Sequence, residues 1–161
     1  EIGQWQEWSE ARSLDWFLLD PIYNHGRHIK LQQYLADLGQ LYRSESALHQ
    51  VDNTWEGFEW LDVYNNQNSI LAFARFNADK SETIIALCNF TPVVRPHYRL
   101  ALPEAGTYHE ILNSDADKYG GSNVLNSDPL VSTDTPWHDQ PYSLELTLPP
   151  LSTIYLKRSR D

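Results

Sequence analysis

Hydrophobic and polar positions change their period near residue 50. Upstream, Ile29, Leu31, Tyr34, Leu35, Leu38, Leu41 and Tyr42 recur three and four residues apart. Lys30, Gln32, Gln33, Asp37 and Gln40 fall on the other face, so the spacing predicts an amphipathic helix ending near Ser44. Residues 1–25 keep no period. With Gly3, Pro21 and the turn signal Tyr23-Asn-His-Gly26, they read as a long loop with one helical turn over Trp16–Leu19.

Downstream the period is two, and turn residues interrupt it at hairpin spacing. Strands are predicted over residues 58–64, 69–76, 83–89, 98–102, 107–112, 142–148 and 152–157. Residues 83–89 are apolar nearly throughout, which predicts a central strand buried on both faces. In 142–148, Leu144, Leu146 and Leu148 point inward while Glu145 and Thr147 point out. Residues 113–141 carry Gly120-Gly121, Pro129, Pro136 and Pro141 with few strand signals. A loop of that length in a compact domain is expected to be organised. The expectation is a mainly-β chain: an antiparallel β-sandwich of about 110 residues, preceded by a loop and one long helix. A lone amphipathic helix cannot bury its apolar stripe by itself. It must pack on the sandwich or on protein outside this chain.

With 161 residues, 41% of them hydrophobic, the chain holds one ordinary domain, or a small domain and an appendage. No apolar run approaches membrane-spanning length. A net charge of −10 argues against nucleic acid or an anionic membrane as partner. The single Cys88 leaves no internal disulfide and no cysteine-based zinc site, and it reads as a buried, inert thiol. A reducing, cytoplasmic setting fits. The six histidines are scattered and read as surface or capping groups, so no metal or cofactor is expected. Asn89-Phe-Thr91 matches a glycosylation sequon, but Pro92 follows and the chain reads as intracellular, so it is discounted. A start at Glu1 in a chain without methionine reads as a piece of a longer protein.

Candidate chemistry concentrates in residues 1–16. Trp5, Trp8 and Trp16 sit there among Glu1, Gln4, Glu7, Glu10 and Asp15. Sugar rings offer apolar C–H faces to indoles and hydroxyl rims to polar groups. A retaining glycosidic mechanism needs two carboxyls about 5–5.5 Å apart, and the spacing of Glu7, Glu10 and Asp15 fixes no such pair. These carboxylates are expected to hydrogen-bond loop and helix-start N–H groups. Trp60, Phe73, Phe76, Tyr108 and Tyr155 fall on strands and are expected in the core. Trp55 and Trp137 join the leader tryptophans in loops.

The segment Glu1-Ile-Gly-Gln-Trp-Gln-Glu-Trp8 with Ser13-Leu-Asp-Trp16 closely resembles bacterial 1,4-α-glucan branching enzymes of the α-amylase superfamily. The likeness continues through Leu35-Ala-Asp-Leu-Gly-Gln-Leu-Tyr-Arg43, Gly57-Phe-Glu-Trp60, Cys88-Asn-Phe-Thr-Pro92, Tyr119-Gly-Gly-Ser122, Pro136-Trp-His138 and Leu148-Pro-Pro150. It implies that residues 1–48 are the last loop and final helix of a catalytic (β/α)₈ barrel, and that 49–161 are the C-terminal all-β domain. It implies a retaining transfer of α-1,4-glucan segments to 6-hydroxyls, as in glycogen, by carboxylates upstream of Glu1. No catalytic role passes to Glu7, Glu10 or Asp15, and the chain alone should be inactive. Glu1, Gln4, Trp5, Trp8 and Trp16 are the residues the likeness places along the glucan groove, and the helix from Ile29 to Tyr42 is where a barrel would pack. The rival reading is a free-standing carbohydrate-binding module, which predicts a closed apolar surface instead of an exposed helix stripe.

Overall fold

The computed structural model describes residues 1–159; Arg160 and Asp161, the end of the expected β-domain, lie outside the described residues. The predicted helix is α1, Arg27–Ser44, followed by a one-turn helix α2, Ser46–His49. Gly26 takes a left-handed φ of 72° and turns the chain into α1, as the turn signal required. At the other end Glu45 is extended and its N–H donates to Leu41 O.

Eight strands follow: β1 Phe58–Asp62, β2 Ile70–Phe76, β3 Thr83–Asn89, β4 Arg95–Leu102, β5 Thr107–Asn113, β6 Leu130–Val131, β7 Tyr142–Leu148 and β8 Ser152–Arg158. Six form one sheet in the order β1-β2-β3-β8-β5-β6, and β4-β7 form a second, with every pairing antiparallel. The expected sandwich is therefore present. Its core is made by alternate residues of facing strands: Ala72, Ala74, Ile85, Leu87, Ile154 and Leu156 from the large sheet meet Leu100, Leu102, Leu144, Leu146 and Leu148 from the small one. Tyr108 is fully buried there, and its hydroxyl donates to Glu104 O at 2.8 Å.

Helical residues cover part of the large sheet's outer face. Ala47 is buried, Glu45 pairs with Lys157 of β8, and Tyr34 lies close to Cys88 and Tyr155. Cys88 is half-buried, not fully enclosed as expected, because it points to this thinner helical layer. Burial still pushes its thiol pKa up, which keeps it unreactive. Trp60 departs further from expectation. It is 45% exposed, because β1 is an edge strand and the indole stands on its outer face against Phe58 and Phe73.

The long loop is organised, as its length required. Asp115 is buried, and its carboxylate accepts from Ser122 N, Ser122 Oγ and Val124 N at 2.8–2.9 Å. The turn so formed presents Lys118 and Tyr119 to α1. Tyr119 Oη donates to Asp37 at 2.6 Å, Lys118 Nζ to the same carboxylate at 3.0 Å, and Lys30 Nζ to Asp117 O at 2.8 Å. Hydrogen bonds from Tyr119, then Lys118 and Gln33, lower the Asp37 pKa from 3.8 to about 2. A carboxyl depressed in the folded state adds stability above its unfolded pKa and loses it as pH falls through the folded value. The site is partly open to water, so the contribution is ~0.5–1 kcal/mol. Acid titration of urea stability should show this loss between pH 3.8 and about 2 and show none in Asp37→Asn. Equal slopes for the two proteins would refute the clamp.

Candidate functional site

The leader is fixed to the helix by three buried side chains: Ile2, Leu18 and His28. His28 Nδ1 donates to Ile2 O at 2.8 Å, which leaves Nε2 buried with no partner. The sequence read this histidine as a surface or capping group. It is instead the peg around which the leader folds, and its i, i+26 partner gives no local signal.

Above this peg the leader residues divide. Trp5 joins an edge-to-face cluster with Phe17, Tyr23 and His28 at centroid distances of 6.0–6.1 Å, and it remains 64% exposed. Trp8 and Trp16 are 71% and 53% exposed and pair with no other ring among the described residues. Glu1 is exposed. Gln4 is half-buried, donating through Nε2 to Gln6 O at 2.7 Å. Glu7 and Glu10 are exposed and Asp15 is half-buried. The five candidate residues thus share one segment, but only Trp5 is locked by neighbours. Of the four buried polar side-chain atoms that lack a partner among the described residues, three belong to this region: Gln4 Oε1, Asp15 Oδ2 and His28 Nε2.

No group of three His, Cys, Asp or Glu side chains among the described residues could hold a metal. No described helix is long and apolar enough to cross a membrane.

A groove of about 840 Å³ opens elsewhere, where the end of β1 meets the start of β4 and the turn at Trp137. Sequence reading marked Trp137 as a loop tryptophan, a position that favours binding residues, and as part of the Pro136-Trp-His138 likeness. It missed Asp62 and Tyr98, whose meeting depends on which strand edges the sandwich juxtaposes.

The family model described as alpha amylase, C-terminal all-beta domain, matches residues 60–159. The chain belongs to this family. The match begins in β1 and ends at Ser159, so it covers the sandwich and leaves the leader and α1 outside. Similarity to individual proteins reaches further. The chain is 45% identical over 157 residues to the 1,4-alpha-glucan branching enzyme GlgB of Halothermothrix orenii, covering 98% of this chain and 24% of that protein. It is 47% identical over 157 residues to GlgB of Synechococcus sp. (strain JA-3-3Ab), covering 98% of this chain and 20% of that protein. It therefore spans between a fifth and a quarter of the length of these relatives. Among solved structures, the alpha-amylase from H. orenii superposes over 97% of this chain and 27% of its own, with TM-score 0.50 and 14% identity. That likeness concerns the fold. It takes in the leader and α1 as well as the sandwich.

Proposed function

We propose that this chain is the C-terminal part of a 1,4-α-glucan branching enzyme, a retaining glycosyltransferase that moves α-1,4-glucan segments onto 6-hydroxyls of a glycogen-like acceptor. One observation carries the reading. Similarity to branching enzymes runs through the leader and α1 as well as the β-domain, over 98% of the chain. Residues 1–48 are then the tail of the catalytic barrel, and 49–161 the all-β domain that braces it.

The chemistry needs a carboxylate nucleophile, a general acid/base and a barrier to water. Nothing in Glu7, Glu10 and Asp15 pairs two carboxyls for that task, so the reacting groups are assigned to the rest of the protein. The leader lines the glucan groove through Glu1, Gln4, Trp5, Trp8 and Trp16, where exposed indoles stack on sugar faces. A barrel packs on α1 over Ile29, Leu31 and Tyr42, whose exposures are 37%, 38% and 46%. The exposure of Leu31 and Tyr42, which share one face of α1, favours the branching-enzyme part over the free-standing module. The half-buried thiol Cys88 is in keeping with a cytoplasmic setting.

Incubating the chain alone with amylose should yield no α-1,6 anomeric proton signals by NMR. The longer protein, with its barrel, should yield them. In that longer protein, combined Trp5→Ala and Trp8→Ala should lower kcat/KM for amylose ~10-fold or more, a loss of ~1.4 kcal/mol of transition-state binding. Branching by the chain alone would overturn the assignment of catalysis to the barrel, and a longer protein that only hydrolyses amylose would overturn the branching reading.

A further inference from the structure

Trp5 is the leader tryptophan that the fold holds. Three rings meet it: Phe17 from the helical turn Trp16–Leu19, Tyr23 from the turn before α1, and His28 from the first turn of α1. Their centroids lie 6.0–6.1 Å from the indole, at interplanar angles of 69–79°. Phe17 and Tyr23 also touch each other at 5.2 Å. Edge-to-face contacts of this kind fix the tilt of a ring as well as its place.

The three rings are not equivalent. Phe17 is 48% exposed and Tyr23 half-buried, whereas His28 is 6% exposed. His28 also grips the leader backbone, because its Nδ1 donates to Ile2 O, three residues before Trp5. Ile2 is buried too, so this bond is made away from water, where losing a partner costs most. Gly3 continues the contact with a left-handed φ of 64°. A Cβ there would lie 3.2 Å from Leu31 Cδ2 and 3.7 Å from His28 Nδ1. His28 and Leu31 are three residues apart and share a face of α1, so the leader backbone lies against that face. α1 is tied in turn to the β-domain through Asp37, Lys118 and Tyr119. The position of the helix therefore reaches Trp5 through His28.

We infer that His28 is a positioning residue of the glucan groove. It sets the height and tilt of the Trp5 indole through its bond to Ile2 O and its ring contact with Trp5, and, being buried, it leaves the sugar to the indole. Trp5 is thereby a stacking surface already in place when glucan arrives. A ring fixed beforehand loses little freedom on binding, and a loosened ring must be ordered by the ligand. That cost falls equally on substrate and transition state, so it raises KM and leaves kcat alone. The role of His28 in glucan binding rests on the leader reading; its hold on Trp5 rests on the geometry.

In the longer protein, His28→Ala should raise KM for amylose ~3–5-fold and leave kcat within ~twofold. His28→Asn, whose Nδ2 can stand where Nδ1 stood and donate to Ile2 O, should recover most of the loss. His28→Gln, whose amide lies one bond further out, should not. In a Trp5→Ala background His28→Ala should add nothing, because it acts through that ring. With 5-fluorotryptophan incorporated, the Trp5 ¹⁹F resonance, assigned by its loss in Trp5→Phe, should move in His28→Ala and return in His28→Asn. If His28→Ala fails to fold, Gly3→Ala serves in its place: it presses a methyl group towards Leu31, and it too should raise KM and spare kcat. Unchanged KM in a folded His28→Ala, a fall in kcat as large as that in kcat/KM, additive losses in the double variant, or rescue by Gln equal to rescue by Asn would each overturn the inference. The two readings fail differently. Unchanged KM in Trp5→Ala would sink the leader reading and the role of His28 with it. A raised KM in Trp5→Ala with none in His28→Ala would sink the role of His28 alone.

Discussion

Replacing Asn89 by alanine should lower the stability of the fold by ~2–4 kcal/mol, read as a shift in urea midpoint at unchanged slope. Asn89 ends β3 and is 1% exposed. Its amide is fully used. Nδ2 donates to Val93 O at 2.8 Å and to Pro149 O at 2.7 Å, while Oδ1 accepts from Thr91 N at 3.1 Å and Thr91 Oγ1 at 2.7 Å. One side chain therefore holds both the turn that carries the chain from β3 to β4 and the Pro149-Pro150 turn between β7 and β8. Alanine leaves the Thr91 N–H and the Val93 carbonyl without these partners and opens a small cavity. Pro149 O keeps its bond from Ser152 Oγ at 2.8 Å, which limits the loss. Asn89→Asp sharpens the test. At neutral pH it sets a carboxylate against two carbonyl oxygens, raises its own folded pKa, and should destabilise at least as much as alanine. Lowering the pH towards the ordinary aspartate value of ~3.9 returns a proton, so this variant alone should regain stability on acidification. A change under ~0.5 kcal/mol in either variant would show that the amide is replaceable. With both ends of its amide bonded inside the fold, Asn89 is also no acceptor for a glycan, in line with discounting the sequon.

How far such features could be read from sequence depended on the range of the interaction that makes them. β3 and β7 have the bounds their patterns gave, because an apolar run and a clean alternation are local signals that packing merely confirms. The helix, too, follows from its own spacing. β6 did not show itself, since Leu130–Val131 offers two residues and no period; it exists because β5 leaves an edge to pair with. β1 stops at Asp62, two residues short of the expectation, because that carboxylate turns inward to Tyr98 and Asn65. Trp60 was misplaced for a related reason. A period of two says which residues share a face, but edge position decides whether that face is covered. The leader was legible as an aromatic, carboxylate-rich stretch, and its peg was not. His28 meets Ile2 only after the helix returns alongside the leader. The β1–β4 groove is the extreme case, with residues 62, 98 and 137 joined by sheet topology alone.

Gly121→Ala should be the most damaging single-methyl change in the chain, at ~3–5 kcal/mol. A Cβ at Gly121 would lie 2.1 Å from Asp115 O, 2.3 Å from its carbonyl carbon and 2.4 Å from its Cα. All three are backbone atoms, so no rotamer change relieves the overlap. The backbone that must move is the best-tied part of the long loop: Asn123 N donates to Asp115 O at 2.7 Å, and the Asp115 carboxylate holds Ser122 and Val124. Forcing it open breaks these bonds together and displaces Lys118 and Tyr119. Asp37 then loses both its ion pair and its phenol hydrogen bond, and Tyr34 loses its edge-to-face partner Tyr119 at 5.1 Å. The damage should therefore spread to α1 before it reaches the sandwich core. Hydrogen exchange separates the two: amides of α1 should exchange faster in Gly121→Ala while those of β3 and β8 stay protected. Asp37→Ala, which removes the clamp and leaves the loop intact, should loosen α1 with a far smaller fall in global stability. Equal protection of α1 in Gly121→Ala and the unaltered chain would mean that the loop does not hold the helix. The helix would then have to be held by α2 and the leader, and the orientation of the leader's tryptophans would no longer depend on the β-domain.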